Sequence, residues 1–275
     1  MATPRLQRHT LTGSLGELFV DVRAAGAASA RPAVVGVHGF KGFKDWGFWP
    51  AFAERAARAG FTAVTFNLSG SGVDAAGEPT LGARFSRDTY SRQLEDIRTV
   101  VSALFSGALG VAEPSALGLV GHSRGGGMAI LAAGADPRVR ALVTWAAIAH
   151  ADRWSNATRE AWRGRGHIDV ENSRTGQVLP LGVEILDDLD TNGARLDISA
   201  AASRLGIPWL IVHGEKDESV PVADAARLAR ANPGATTLIV PGTGHTFGAS
   251  HPWKPPVPVA ERVMEQTLRF LMRKL

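Results

Sequence analysis

Short apolar runs recur along the chain, and segments with apolar residues at helical spacing separate most of them. The runs occupy residues 33–37, 61–66, 117–120, 141–148, 208–213 and 236–240. Nearly continuous apolar character is typical of strands buried on both faces of a sheet. Helical spacing is clearest at residues 86–105 and 259–271. Strands that alternate with helices predict an α/β fold with a mostly parallel sheet flanked by helices.

The beginning of the chain differs from this alternation. Residues 11–22 alternate moderately between apolar and polar side chains around Gly13 and Gly16. This pattern predicts an antiparallel hairpin at the edge of the sheet.

A second departure comes after the sixth predicted strand. Residues 150–199 fit neither a strand nor a crossover helix, although residues 168–170 and 177–179 could pair as a small hairpin. Long excursions of this kind in compact domains tend to be functional caps. We therefore predict a core made of residues 1–149 and 200–275, with residues 150–199 inserted as a lid.

One serine lies where an apolar strand meets a helix. Residues 121–125 read Gly-His-Ser-Arg-Gly, the G-x-S-x-G pattern of a nucleophile placed on a sharp turn. Such a turn needs neighbours without a Cβ atom, and Gly121 and Gly125 meet that need. The helix that follows points its first N–H groups at the turn, so the Arg124 amide can bind an oxyanion beside Ser123. The alternative is a glycine-rich turn with an incidental serine.

Acyl transfer needs a second N–H donor, and the loop after the strand at residues 33–37 can provide it. In the segment His38-Gly39-Phe40-Lys41 we assign this donor to the Phe40 amide, with Lys41 as the alternate. The competing interpretation is that His38 and Gly39 form only a tight turn.

A serine hydroxyl needs a base to take its proton and a carboxylate to orient that base. Of the eight histidines, His245 is the one that follows the last strand, and we predict that it is the base. Asp217, in the loop after the preceding strand, is predicted to be the acid. Glu215 and Asp152 are its rivals. The order Ser123, Asp217, His245 is the order in which this type of site uses the chain.

Further polar and aromatic residues near the strand ends are candidates for the substrate pocket. These are His38, Lys41, His122, Trp145, His150, Trp154 and Trp162. For His38 and His122 the competing role is a local hydrogen bond, which is also the role expected of His213. For Trp145 the competing role is packing, and for Trp154 and Trp162 it is structural anchoring on the underside of the lid.

Composition narrows the chemistry. The chain of 275 residues has no cysteine, which excludes disulfides, thiolate metal ligands and a thiol nucleophile. The net charge of +4 comes with basic residues scattered among acidic ones, so we expect no nucleic-acid partner. No apolar run is long enough to span a membrane, and residues 1–10 lack the apolar stretch of a signal peptide, so we expect a cytoplasmic protein without a membrane partner.

These motifs also carry a family resemblance. The segments His38-Gly39-Phe40, residues 121–126, residues 213–221 and Gly244-His245 resemble bacterial α/β-hydrolases, particularly dienelactone-hydrolase-like and cinnamoyl or feruloyl esterase-like serine hydrolases. The resemblance spans nearly the whole chain. It implies an α/β-hydrolase fold, an acylated serine, a lid after the sixth strand, and neither cofactor nor metal. Two departures are the absent cysteine of dienelactone hydrolases and Asn67, where many hydrolases carry an aspartate.

Together the residues and the resemblance predict a serine hydrolase that cleaves a small-molecule carboxylic ester. A thioesterase or peptidase of the same fold is the nearest alternative. A non-catalytic binding protein, with an idle serine, is the alternative from another class. The acyl group, the alcohol group and the oligomeric state do not follow from the sequence.

Overall fold

A computed structural model of the chain describes residues 3–26, 29–172 and 176–275. The strands in chain order are β1 (Arg5–Gly13), β2 (Gly16–Ala24), β3 (Ala33–Val37), β4 (Thr62–Phe66), β5 (Leu117–His122), β6 (Val139–Trp145), β7 (His167–Asn172), β8 (Gln177–Gly182), β9 (Trp209–Gly214) and β10 (Thr236–Val240). The helices are α1 (Trp49–Arg58), α2 (Gly82–Ser86), α3 (Tyr90–Phe105), α4 (Arg124–Ala135), α5 (Asn156–Arg165), α6 (Glu184–Asn192), α7 (Ile198–Arg204), α8 (Val222–Ala231) and α9 (Pro258–Lys274).

The main sheet has the strand order β1-β2-β4-β3-β5-β6-β9-β10. β1 pairs antiparallel with β2, and β2 pairs antiparallel with β4. All the other neighbours in this sheet pair in parallel. The predicted α/β architecture with a mostly parallel sheet is therefore confirmed, and the carboxyl ends of β3, β5, β9 and β10 lie along one edge of the sheet.

Helices cover both faces of the sheet because the central strands are apolar on both sides. Every residue of β3, β4, β5 and β9 is buried. On one face, α3 and α4 contribute Ile97 and Met128 to an apolar cluster. On the other face, α1 and α9 contribute Phe52 and Met264 to a second cluster. Buried packing on both faces gives the loops at the strand ends a rigid base.

The edge hairpin is present but longer than predicted. β1 and β2 pair from Arg5 opposite Ala24 to Gly13 opposite Gly16. The pairing begins six residues before the predicted start because β1 lies at the edge of the sheet, where polar side chains such as that of Arg8 face water. The alternation of apolar residues is weak in such a strand.

The segment after β6 contains more regular structure than its sequence pattern indicates. β7 and β8 pair antiparallel, with Ile168 opposite Leu181 and Val170 opposite Leu179, so the small hairpin is confirmed. Residues 150–199 also contain α5 and α6, two helices that the sequence pattern did not predict. The division into a core and a lid stays a prediction. Across the described ranges, no helix is both long enough and apolar enough to cross a membrane.

Candidate active site

Ser123 lies between the end of β5 and the start of α4, with φ 58° and ψ −123°. A positive φ is strained for a residue with a side chain, and such strain persists only where the surroundings impose it. Here the Ser123 N–H donates to the Trp145 carbonyl oxygen at 2.8 Å, and the Ser123 carbonyl oxygen accepts from the Gly126 N–H at 3.0 Å. The turn therefore has the geometry of a nucleophile elbow.

The glycines beside Ser123 are required by close backbone contacts. A Cβ atom at Gly121 would overlap the carbonyl oxygen of Gly125, and one at Gly125 would overlap the carbonyl oxygen of His38. Gly39 lies directly against Ser123, because a Cβ atom added at Gly39 would be only 2.9 Å from the Ser123 Cβ. The loop after β3 thus contacts the turn at Ser123. A second N–H donor for an oxyanion at Ser123 would have to lie in such a position.

A histidine and an aspartate meet at the ends of β9 and β10. Nδ1 of His245 lies 2.8 Å from Oδ2 of Asp217, and the Asp217 side chain is fully buried. An ionised carboxylate can only accept, so Nδ1 of His245 carries the hydrogen and Nε2 is left free to accept a proton. The other carboxylate oxygen, Oδ1, accepts from the N–H groups of Ser219 and Val220, each at 2.9 Å.

The surroundings of Asp217 keep its carboxyl group ionised. Burial raises its pKa, but hydrogen bonds from His213 and His245 and from the Val220 amide lower it more strongly, and the net pKa lies well below the ordinary value. Nε2 of His213 lies 3.3 Å from Oδ2 of Asp217 and 2.8 Å from the Val220 carbonyl oxygen. His213 thus makes the local hydrogen bonds expected of it and also contacts the acid.

The two rival acids face other partners. Oε2 of Glu215 accepts from the Gly242 N–H at 2.8 Å. Oδ2 of Asp152 pairs with Arg159 at 2.5 Å. Of the three candidate carboxylates, Asp217 is therefore the one in contact with His245.

The loop after β3 is fixed by buried polar contacts. Nε2 of His38 accepts from the Leu68 N–H at 3.1 Å, so Nδ1 carries the hydrogen and donates to the Gly39 carbonyl oxygen at 2.9 Å. Asn67 is almost completely buried; its Oδ1 accepts from the Lys44 N–H, and its Nδ2 donates to the Asp74 carbonyl oxygen. An aspartate could not donate this second bond, which explains the amide at this position.

A cavity of about 260 Å³ joins these elements. Its lining includes Ser123 and His245 together with the predicted pocket residues His38, Lys41 and His122 and the predicted oxyanion residue Phe40. It also includes Trp46, Trp49 and Thr246, which the sequence analysis did not select. Trp46 lies in the loop that follows β3, and Trp49 is the first residue of α1. Their closeness in sequence to Phe40 is the feature that could have identified them as pocket residues.

Two predicted pocket residues lie elsewhere. Trp145 is buried on β6, donates from Nε1 to the Thr267 hydroxyl at 2.9 Å and stacks on Trp49. His150 lines a separate cavity of about 450 Å³ that also contains Asp197. We correct both predictions: the Trp145 ring packs in the core on one face of the sheet, and His150 lines the second cavity and not the cavity at Ser123.

The prediction that Trp154 and Trp162 line the substrate pocket is also corrected. Trp162 is 0% exposed and donates from Nε1 to the Leu181 carbonyl oxygen at 3.0 Å. Trp154 packs edge-on against it, with ring centres 5.1 Å apart. Neither ring is among the residues that line the Ser123 cavity in the described part of the chain. They anchor α5 to β8, as the alternative interpretation had it.

This placement predicts what substitution of Trp162 does. Trp162→Ala should lower the free energy of unfolding by about 3–5 kcal/mol, because it leaves a cavity and an unpaired Leu181 carbonyl. The relative rates for different acyl groups should stay the same. Trp46→Ala, which changes the cavity wall, is the matched comparison and should alter them. Urea titration and a series of esters measure both, and an altered ranking in the Trp162 variant would contradict the assignment.

His122 contacts His245, the proposed base. Its ring centre lies 4.7 Å from that of His245, and its Nε2 lies 3.0 Å from the His245 carbonyl oxygen. Burial and the neighbouring His245 lower the pKa of His122 to about 3, and burial lowers the pKa of His38 to about 4. Both rings are therefore neutral at pH 7.

The pH dependence of kcat/KM follows from these directions. Between pH 5 and 9, Asp217 stays ionised while His38 and His122 stay neutral. Any fall in activity with decreasing pH should therefore have a slope of no more than one, because none of these three groups changes its charge in this range. Initial rates across this range measure the slope. A slope of two would show that a second buried histidine titrates with activity.

Comparisons with known proteins identify the family of this chain. The sequence profile of the Alpha/beta hydrolase family matches residues 34–261. The 2,6-dihydropseudooxynicotine hydrolase of Paenarthrobacter nicotinovorans is 27% identical over 140 residues, which cover 50% of this chain. The match spans 32% of the length of that relative.

Two solved structures share the fold. Est1E from Butyrivibrio proteoclasticus superposes with a TM-score of 0.69 at 17% identity, over 97% of this chain and 98% of that chain. Dienelactone hydrolase from Anabaena variabilis superposes with a TM-score of 0.67 at 17% identity, over 99% of each chain. The family profile covers most of the chain and the topology is shared, so this chain belongs to the alpha/beta hydrolase family and has the α/β-hydrolase fold.

Proposed function

We propose that this hydrolase cleaves carboxylic esters through an acyl-enzyme formed on Ser123. The observation that carries the proposal is the 2.8 Å contact between His245 and Asp217 at the cavity that Ser123 also lines. Ser123 lies on a strained elbow at this cavity, and a serine hydroxyl that acts as a nucleophile needs a base and an acid to orient that base.

The triad residues and the two oxyanion donors all act in the first half-reaction. Nε2 of His245 takes the proton as Ser123 Oγ attacks the ester carbonyl carbon. Asp217 keeps the His245 ring in the correct tautomer and stabilises its positive charge. The carbonyl oxygen becomes an oxyanion, to which the N–H groups of Phe40 and Arg124 donate. His245 then gives its proton to the departing alcohol, and the acyl group remains on Ser123.

The second half-reaction repeats these steps with water. His245 takes a proton from a water molecule that attacks the acyl carbon, and the same two N–H groups bind the second oxyanion. His245 returns the proton to Ser123 Oγ as the C–O bond of the acyl-enzyme breaks. The products are a carboxylic acid and the free enzyme, so the cycle needs no group beyond the chain, the ester and water.

The cavity favours a small acyl group. Its volume of about 260 Å³ is below the ~300–1,000 Å³ that is usual for pockets of drug-sized ligands. Two indole rings, Trp46 and Trp49, form part of its wall. We expect acetyl, butyryl and flat aromatic acyl groups to fit better than long alkyl chains.

Rates for p-nitrophenyl esters test this proposal. The acetate and butyrate should exceed the dodecanoate in kcat/KM by about tenfold or more, because the longer chain cannot be enclosed. Trp46→Ala should reduce this preference. Equal rates for all chain lengths would refute the size argument, and no turnover of any ester would refute the proposed activity.

Thioesters and amides are the competing substrates of the same site. The triad can attack all three carbonyl groups, so matched acetyl esters, acetyl thioesters and acetyl anilides distinguish them. Faster turnover of the thioester or the anilide would reassign the substrate class. In a non-catalytic binding protein, Ser123 would fail to react with a fluorophosphonate, which needs the activated hydroxyl but no particular acyl group.

We also propose that residues 150–199 close over the cavity as a lid. Nζ of Lys41, at the cavity rim, donates to the Glu171 carbonyl oxygen of β7 at 3.0 Å. This bond joins the hairpin of β7 and β8 to the loop that supplies Phe40. Phosphonylation of Ser123 should slow amide hydrogen exchange in the hairpin, and unchanged exchange there would contradict closure.

A further inference from the structure

A buried cation lies directly beside the proposed oxyanion donors. Arg124 is the first residue of α4, and its side chain is only 9% exposed. The guanidinium carbon lies 3.9 Å from the centre of the Phe40 ring and 5.0 Å from that of Tyr90. Its nearest carboxylate is Asp88, whose Oδ2 is 3.9 Å from the nearest guanidinium nitrogen. The cation therefore rests mainly on aromatic faces.

This arrangement is poor as a salt bridge. A distance of 3.9 Å is too long for a hydrogen bond, and among the described residues neither Nη1 of Arg124 nor Oδ1 of Asp88 has a hydrogen-bond partner. Burial raises the pKa of Asp88 to about 7, which Arg124 only partly offsets. A buried pair of this kind contributes little stability compared with apolar residues of the same shape. The buried charge needs another explanation.

The ring of Phe40 has two close partners. Arg124 covers one part of it, and Phe85 stacks against it with ring centres 5.5 Å apart. The next residue, Lys41, has a φ of 60°, so the chain turns sharply just after Phe40. A fixed ring on a sharp turn fixes the direction of the Phe40 N–H. Donors in an oxyanion hole act only when they are aimed in advance at the developing charge.

We propose that the Arg124 side chain is a positioning residue for the oxyanion hole, because the residue that gives one donor through its backbone also clamps the other donor through its guanidinium. Arg124 thereby couples the elbow to the loop after β3. Loss of the clamp leaves both N–H groups in the chain but lets the Phe40 loop move. This inference rests on the proposed function, since it concerns the same reaction.

The test is the Arg124→Met variant, which keeps an unbranched side chain close in size to the aliphatic stem of arginine and removes the charged guanidinium. We expect kcat for p-nitrophenyl acetate to fall about 10²-fold with KM changed less than about threefold, since the lost interaction acts in the transition state. Arg124→Lys, which keeps a cation but not the flat guanidinium, should lie between this variant and the wild type. Arg98→Met, an exposed arginine of α3, is the matched control and should behave like the wild type.

A second readout separates positioning from a structural role. Thionoesters develop charge on sulfur, which accepts weaker hydrogen bonds than oxygen, so the ratio of ester to thionoester kcat reports on the oxyanion hole. We expect Arg124→Met to lower this ratio about tenfold. A merely structural role would reduce both rates equally, and an unchanged ratio would overturn the proposal. If Arg124→Met does not fold, Asp88→Asn/Arg124→Met removes both buried charges and should show the same lowered ratio.

Failure of the proposed function has a different signature. If the wild type hydrolyses no ester, the rate of Ser123 labelling by a fluorophosphonate replaces kcat, because the phosphoryl oxygen enters the same hole. Labelling that is about tenfold slower in Arg124→Met than in Arg98→Met would support the clamp without ester chemistry. Equal labelling rates, or no labelling of the wild type, would overturn it.

Discussion

Replacing Ser123 by alanine should lower kcat about 10⁶-fold, because a triad that has lost its nucleophile retains only the catalysis of binding and the oxyanion hole. The fold should survive. Both residues carry a Cβ atom and face the same strain at φ 58°, and the substitution removes a single oxygen at the cavity wall. We expect the free energy of unfolding to change by less than about 1 kcal/mol.

Steady-state kinetics and urea titration on the same preparations measure this separation of activity from stability. Ser203→Ala, which removes an exposed hydroxyl from α7, is the control and should match the wild type in both. Retention of more than about a hundredth of the wild-type kcat in Ser123→Ala would show that the covalent mechanism is wrong.

Asp217→Asn should lower kcat about 10⁴-fold through an error of tautomer. Oδ1 of Asp217 accepts two backbone N–H groups, so an asparagine must keep its oxygen on that side. Its NH₂ group then points at His245 and His213, where the carboxylate had accepted. A donor facing Nδ1 of His245 forces the hydrogen onto Nε2, and a protonated Nε2 cannot take the proton of Ser123.

Glu215→Gln is the matched comparison, because Glu215 precedes Asp217 by two residues but binds the Gly242 N–H. Its effect on kcat should be less than about threefold, since a glutamine oxygen can accept the same bond. A larger loss in Glu215→Gln than in Asp217→Asn would assign the acid to Glu215. Near-normal rates in both variants would favour Asp152.

The strands and the turn that the sequence predicted are each encoded by a few consecutive residues. Continuous apolar runs located β3, β5 and β9 because burial on both faces leaves no polar position. The G-x-S-x-G turn located Ser123 because the close contacts at Gly121 and Gly125 leave no room for a side chain. The chain order of the fold then selected Asp217 and His245.

Two helices that the sequence pattern did not locate, α5 and α8, bury few side chains. In α5 only Trp162 is buried, and in α8 only Ala225 and Leu228 are. One or two anchors do not make a periodic pattern, so these helices depend on tertiary contacts, such as the bond from Trp162 to Leu181.

The cavity wall was the least predictable part of the site. Trp46 and Trp162 both lie in stretches without a clear hydrophobic periodicity. Trp46 lines the Ser123 cavity, whereas Trp162 is buried against β8. Which side of a loop an indole faces is decided by the elements that pack on it. The clamp of Arg124 on Phe40 joins residues 84 positions apart in the chain, and no spacing rule connects them.

The most direct test of the central claim, that His245 and Asp217 activate Ser123, is mass spectrometry of the protein after reaction with a fluorophosphonate. We expect one adduct per chain, located on the peptide that contains Ser123, and no adduct in Ser123→Ala. In His245→Ala the labelling rate should fall at least about 10³-fold, because the hydroxyl has lost its base. An adduct on another residue, or equal labelling of the wild type and His245→Ala, would show that His245 and Asp217 do not activate Ser123.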